Sequence, residues 1–168
     1  MMQPLEVPDS HHLLAAQGWL ELGSPTEAAA ELGLISPVHQ RHPDVIEVRW
    51  TWHAHSRQWE AALEAARELV LAAPDRASGW LHQAYALRRA AGGGLPQAQE
   101  ILLPAVEEFP KEPIIPFNLA CYACQLGQLD EARKWLKRAM KVGGRESIKL
   151  MALADEDLKP LWPELAGD

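Results

Sequence analysis

Two cysteines in 168 residues, Cys121 and Cys124, are too few for the disulfide framework that small extracellular domains use in place of a large core. No stretch approaches the roughly 20 apolar residues that span a bilayer. Met1 to Pro8 shows no basic region ahead of an apolar run, so no secretory signal is visible. A cytoplasmic protein with no membrane partner is expected. Sustained alternation of apolar and polar residues is missing too, and with it any sign of a sheet. An excess of basic charge is also lacking: 16 Lys and Arg face 23 Asp and Glu, a formal charge of −7. Phosphate binding needs a basic field, so this balance argues against nucleic acid as the main partner.

Signs of enzyme chemistry are equally scarce. Gly92-Gly93-Gly94 lacks the Lys-Ser/Thr that completes a phosphate-binding loop, and reads as a turn between helices. None of the serines stands in a nucleophile-elbow context. Cys121-x-x-Cys124 lies inside an expected helix without the second ligand pair that zinc requires, and reads as core packing. His11-His12, His39-x-x-His42 and His53-x-His55 include no acid-flanked metal-binding pair, and read as solvated or capping histidines. No enzyme activity, cofactor or metal is expected.

What the chain does have is apolar content of 48% with seven Trp, enough to order a core. Most of these Trp are expected in that core, with Trp52 a candidate to face outward. It also has a period. Ala28, Ala62, Ala98 and Ala132 are spaced by 34, 36 and 34 residues. Five residues before each alanine stand Gly23, Arg57, Gly93 and Gly127. Four residues after come Leu32, Ala66, Leu102 and Leu136, and seven after come Ile35, Leu69, Ala105 and Ala139. Gln40, Pro74, Pro110 and Gly144 follow at twelve. Small and large residues recurring at fixed offsets with a period near 34 are the sequence form of a helical-hairpin repeat.

The expected organisation is a flexible lead over 1–9, then four hairpins over about 10–43, 44–75, 76–111 and 112–144, then a capping tail over 145–168. Asp9 or Ser10 is the candidate cap of a first helix with Leu13, Leu14, Gly18 and Leu20 turned inward. Pro25 suits the first turn of the next helix. Ser36-Pro37 starts a short extra turn. The third hairpin is expected as helices over 78–90 and 95–109, with the glycines between them absorbing two extra residues. In the tail, Asp155-Glu156-Asp157 mark a helix start, and Leu158, Leu161 and Trp162 are the expected cover for the last hairpin's open apolar side.

Trp80, Ala84, Ala98, Ala105 and Pro110 in the third unit form a recognisable set. So do Asn118-Leu119-Ala120-Cys121-Tyr122 with Gly127, Ala132 and Ala139 in the fourth. On these residues the chain resembles the tetratricopeptide repeat (TPR) family, bacterial type. Asp155 to Leu161 is similar to the segment that closes many bacterial arrays of this kind. Trp50 stands where the repeat usually keeps a small residue, so a shifted register is expected there.

The resemblance implies an all-α, right-handed superhelix of about four hairpins with a C-terminal capping helix. It also implies a non-enzymatic scaffold that holds a peptide or helix of a protein partner in a concave groove. Carried onto matching positions, the groove would comprise Ser78, Leu81, His82, Tyr85, Arg88 and Arg89, then Ile114, Phe117, Asn118, Cys121 and Gln125. Asp44, Glu47, Thr51 and His55 would join from the second unit. Arg88 and Arg89 would grip a carboxylate or acidic segment, while Phe117 and Leu81 supply apolar area. The Lys and Asn of the family's carboxylate clamp are absent, which speaks against a chaperone C-terminus as partner. A secretion-type chaperone holding an apolar segment, or a self-associating structural unit, are the alternative roles; a monomer or weak homodimer is expected.

Overall fold

The computed structural model describes residues 4–167, and among these every regular element is a helix. The chain divides into two compact units, Met1–Ala86 and Leu87–Asp168.

In the first unit α1 (Asp9–Glu21) pairs with α2 (Pro25–Leu34), and α3 (Pro43–His55) pairs with α4 (Trp59–Ala72). A 3-10 turn over Pro37–His39 links the pairs, and α5 (Ala77–Leu87) crosses the unit boundary. Pro25 and Pro43 stand in the first turn of their helices, where the missing N–H has no intrahelical acceptor to lose. Leu13, Ala16, Leu20, Ala28, Leu32, Ile35, Val45 and Val48 form one buried cluster. Burying each of its leucine, isoleucine and valine side chains contributes about 1.5–3 kcal/mol. Leu14 is turned outward, contrary to expectation, because a residue next to Leu13 on a helix lies on a different face.

The short turn at Ser36 has a role that its sequence conceals. Asp9 is the first residue of α1 and is buried, but its carboxylate caps nothing in its own helix. Instead the Ser36 N–H donates to it at 3.0 Å, the Ser36 hydroxyl also donates, and His39 Nδ1 lies 2.5 Å away. Residue 9 thus belongs to the anchored part of the chain rather than to the lead. Residues 1–3 of that expected lead lie outside the described residues.

Three hairpin turns share one geometry. Gly23 N–H bonds to Leu20 and Ser24 N–H to Trp19; Arg57 bonds to Ala54 and Gln58 to His53; Gly127 bonds to Cys124 and Gln128 to Ala123. These are Schellman closures, which place one residue in the left-handed region. Gly23 and Gly127 sit there at φ +74° and +76°, and Arg57, with a Cβ, at +54°. The remaining turn differs. Gly92 at φ +74° and Gly94 at +148°, not Gly93, have positive φ, and Gly94 N–H reaches back to the Leu87 carbonyl. The two extra residues are absorbed by ending α5 at Leu87, earlier than the expected residue 90. A Cβ on Gly93 would stand 1.9 Å from the Leu87 oxygen, so only glycine fits.

The second unit holds α6 (Leu95–Leu102), α7 (Ala105–Glu108), α8 (Ile114–Gln125), α9 (Leu129–Gly143), α10 (Arg145–Ala154), a 3-10 segment (Glu156–Leu161) and α11 (Trp162–Gly167). The single helix expected over 95–109 is two, because Pro104 has no N–H to bond to the turn before it. The chain keeps helical dihedrals there and closes with i−3 bonds from Val106 and Glu107. α8 packs against α9, α9 against α10, and the 3-10 segment against α8. Ala28, Ala62, Ala98 and Ala132 all have zero exposure, as do Ala66, Leu69, Leu102, Ala105 and Ala139 at the recurring offsets.

The tryptophans depart most from expectation. Only Trp50 is buried, Trp19 is exposed, and the other five are partly covered. Trp52 packs on the first unit's core, and its indole donates to the Pro25 carbonyl at 2.9 Å.

Arg57→Gly is expected to stabilise the protein by about 0.5–1 kcal/mol, since it removes the strain of a side chain at positive φ. Gly93→Ala is expected to cost about 3 kcal/mol by overpacking against backbone. Urea unfolding of the two variants checks both signs. A second expectation concerns acid. The bonds from Ser36 and His39 hold the Asp9 carboxyl down to about 2, against an ordinary 3.8. Its contribution is therefore complete above about pH 4 and is lost as pH falls toward 2. Thermal melts across that window should fall more steeply for wild type than for Asp9→Asn.

Candidate interaction surfaces

The first unit contains an open recess of about 490 Å³ between α1 and α3. Gln17, Leu20 and Glu21 line it from α1, and Asp44, Glu47, Val48, Thr51 and His55 from α3. Leu20 and Val48 are the buried apolar floor, and the rest are polar. Arg76 bonds Asp44 at 2.6 Å and Glu47 at 3.3 Å, while His82 Nε2 lies 3.5 Å from Glu47. The His82 hydrogen bond chiefly holds the Glu47 carboxyl below its ordinary range, against the opposing cost of burial. The Thr51 hydroxyl donates to the Glu47 carbonyl at 3.0 Å.

Beside this network lies an aromatic cluster. The Trp50 ring stacks on His82 at 3.8 Å, and Tyr85 meets Trp50 edge-on at 5.8 Å. Trp59 lies 6.0 Å from Tyr85. This explains how a tryptophan occupies a small-residue position in α3: α5 offers a flat histidine for it to stack on. Tyr85, 39% exposed, is the accessible member, whereas His82 and Leu81 are half-buried.

In the second unit three of the expected groove residues, Arg88, Cys121 and Gln125, are engaged by the chain's own tail. Arg88 donates to the Asp157 carboxylate at 2.7 Å and lies over the Tyr122 ring at 5.3 Å. The Gln125 amide donates to the Asp157 carbonyl at 2.9 Å, and Cys121 Sγ lies 3.7 Å from Asp155 Oδ2. Asp155 also caps the segment through the Asp157 N–H at 2.9 Å. Phe117 and Cys121, expected on an open face, are buried; Asn118 and Arg89 are half-buried, and Gln125 is exposed. Leu158 and Leu161 are fully covered in the same segment, and the Trp162 indole donates to the Ala152 carbonyl at 2.8 Å. The acidic run thus meets Arg88 within one chain.

Burial, helped by the charges of Asp155 and Asp157, pushes the Cys121 thiol far above its ordinary range; burial raises Cys124 as well. Burial likewise raises the Tyr122 hydroxyl to about 12. Both cysteines are free and buried. Such thiols are poor nucleophiles and poor metal ligands. No group of three or more His, Cys, Asp or Glu among the described residues is arranged to hold a metal. No helix among them is long and apolar enough to cross a membrane.

Gln17 and Glu21 were not foreseen as lining residues, although the signal exists: Gln17 and Thr51 stand 34 residues apart, as do Glu21 and His55. The same interval leads from Thr51 to Tyr85 and from His55 to Arg89.

Paired helices closed by repeated Schellman turns, with small residues at the crossings, define an α-helical repeat protein with a TPR solenoid fold. Solved structures bear this out. The chain is similar to TTC0263, a thermophilic TPR protein of Thermus thermophilus, at 19% identity and TM-score 0.73, over 94% of this chain and 82% of that one. It is similar to MamA at 14% identity and TM-score 0.68, over 83% and 81%. It is also similar to MamA of Desulfovibrio magneticus RS-1, from residue 41 onward, at 14% identity and TM-score 0.67, over 98% and 96%. No protein-family model matches the chain. No curated protein sequence matches it.

Detaching the tail should uncover Cys121. Leu158→Asp, which places a charge at a fully buried position, is expected to speed labelling of Cys121 by a thiol reagent roughly tenfold or more. Peptide mapping by mass spectrometry identifies the labelled residue.

Proposed function

We propose that this chain is a non-enzymatic protein-interaction scaffold that holds a partner peptide in the recess between α1 and α3. The observation that carries the reading is the recess itself. It is a polar-walled depression of about 490 Å³ with an apolar floor, built from the first helix of two successive pairs. Such repeats leave one face of each first helix unpaired by the stack, and partners commonly bind there. The partner's chemistry follows from charge. Glu21, Asp44 and Glu47 outnumber Arg76, the one guanidinium that reaches them among the described residues, so a segment carrying Lys or Arg is favoured. Tyr85 is a further contact in this proposal, since exposed aromatics often anchor interfaces. Leu81 and His82 support it from α5.

Arg88, Arg89, Asn118 and Gln125 are proposed contacts only for a partner that meets the second unit with its tail in place. Cys121 would join only if the tail moved, and Phe117 is buried. The Thr51 hydroxyl, held by the Glu47 carbonyl, is not paired with a base as a nucleophile would be.

The test is selection of a random peptide library on the wild-type protein, followed by titration of the recovered peptides. Basic peptides are expected. Thr51→Arg, which fills the recess and reverses its charge balance, should weaken them at least about tenfold with unchanged helicity. Failure to enrich any peptide, or equal binding by the variant, would remove the reading.

A further inference from the structure

The charge of −7 hides a strong segregation. Seven of the chain's 16 Lys and Arg fall within residues 133–149, where Glu146 is the only acid, so this segment is net +6. The cause is visible in α9. Its buried residues Ala132, Leu136 and Ala139 form one face, and the remaining turns carry cations outward. Two recesses in the second unit border this face. One, of about 600 Å³, is lined by Lys134, Lys137, Arg138 and Lys141 with Pro110 and Val142. The other, of about 230 Å³, includes Lys137, Arg145 and Lys149. Lys137 lines both.

The cations divide into a paired border and an open centre. Arg133 bonds Asp130 and Glu164, Lys134 bonds Glu131 at 2.6 Å, and Arg138 bonds Glu107 at 3.1 Å. Lys137 and Lys141 are exposed, lie one helical turn apart, and have no ion pair among the described residues. Unpaired like charges on one helix repel each other. That arrangement costs stability, and an anion between them relieves it.

We infer that this face of α9 and α10 docks an acidic segment of a partner protein. The geometry selects a short anion. Lys134 to Lys141 spans about 10 Å of helix at 1.5 Å per residue. The carboxylates of Asp130, Glu131, Glu107 and Glu164 stand at its border. A duplex or a flat anionic bilayer extends past that border and meets those acids, whereas a peptide of a few residues does not. A second copy of this chain is also a poor occupant. Its only run of three consecutive acids, Asp155 to Asp157, is engaged within its own fold by Arg88, Gln125 and the cap at Asp155. This surface is independent of the α1–α3 recess, which selects the opposite charge.

The test uses the full chain and a fluorescent peptide of about five residues, in which glutamates alternate with leucine and glycine. Binding that weakens with added salt is expected in wild type. Lys137→Glu with Lys141→Glu should lose it by at least about tenfold, and the neutral pair Lys137→Gln with Lys141→Gln by less. Thr51→Arg in the other recess should leave it unchanged. No binding by wild type, or equal binding by the charge-reversed pair, overturns the proposal. So does tighter binding, lost in the same variants, of a duplex of about 20 base pairs or of vesicles with about 30% phosphatidylserine. Sedimentation velocity supplies the last arm: self-association abolished by the charge-reversed pair would assign the face to a second copy and overturn the acidic partner.

Discussion

The side chain at each helix crossing sets what the rest of this molecule can do. Helix axes pack about 8–10 Å apart, and the residue at the contact decides where in that range they settle. Ala28, Ala62, Ala98 and Ala132 have no exposed surface. A larger side chain there would have to push its neighbours apart. The approach in turn requires a tight return of the chain, which the Schellman closures at Gly23, Arg57 and Gly127 supply. Close packing and sharp reversal are two aspects of the same constraint. Together they leave the first helix of each pair with a face that the second helix does not cover.

That uncovered face has different fates in the two units. In the first it forms the recess, where Glu47 is held by Arg76 and His82 and the floor is Leu20 and Val48. In the second it is met by the 3-10 segment, which buries Leu158 and Leu161 and places Asp157 on Arg88. The difference originates in position along the chain. A last pair has no following pair to shield its apolar side chains, and the tail supplies that cover. In doing so it pairs Arg88 with the Asp157 carboxylate.

Most of the fold was legible because packing leaves a periodic record. The alanines, the residues four and seven after them, and the absence of alternation were enough for paired helices. What escaped had non-periodic causes. The early end of α5 follows from the Gly94 bond to Leu87, and the break between α6 and α7 from the missing N–H of Pro104. Asp9 seemed part of a polar lead because its partners, Ser36 and His39, lie some 30 residues away in sequence. Tryptophan size suggested core, yet a ring can pack on one face only, and Trp80 and Trp135 are partly open. The site was legible in part. Of the residues that line the recess, Asp44, Glu47, Thr51 and His55 were expected from the family resemblance, and Gln17 and Glu21 stand one 34-residue interval before Thr51 and His55. The residues favoured in the fourth unit, Phe117, Asn118, Cys121 and Gln125, stand 36 residues beyond Leu81, His82, Tyr85 and Arg89, the period lengthened by its two-residue insertion. Periodicity, however, carries no information about a tail that lies outside the repeat.

The same reasoning bears on charge. A count over the whole chain suggests an acidic protein with no use for polyanions, but fields act over about a Debye length, roughly 8 Å at physiological ionic strength. Over that distance a partner at α9 meets Lys137 and Lys141, not the average of 168 residues. Many acids are neutralised nearby: Glu68 by Arg49, Glu64 by Arg67, Asp44 and Glu47 by Arg76. At the two surfaces, the charges without an ion pair among the described residues are the informative ones: Glu21 in the α1–α3 recess, Lys137 and Lys141 on α9, and Lys149 on α10. On the two readings proposed above, the acidic recess and the basic face would distinguish their partners by sign. A segment suited to one surface would then be a poor competitor at the other, because each surface would repel the segment that the other attracts.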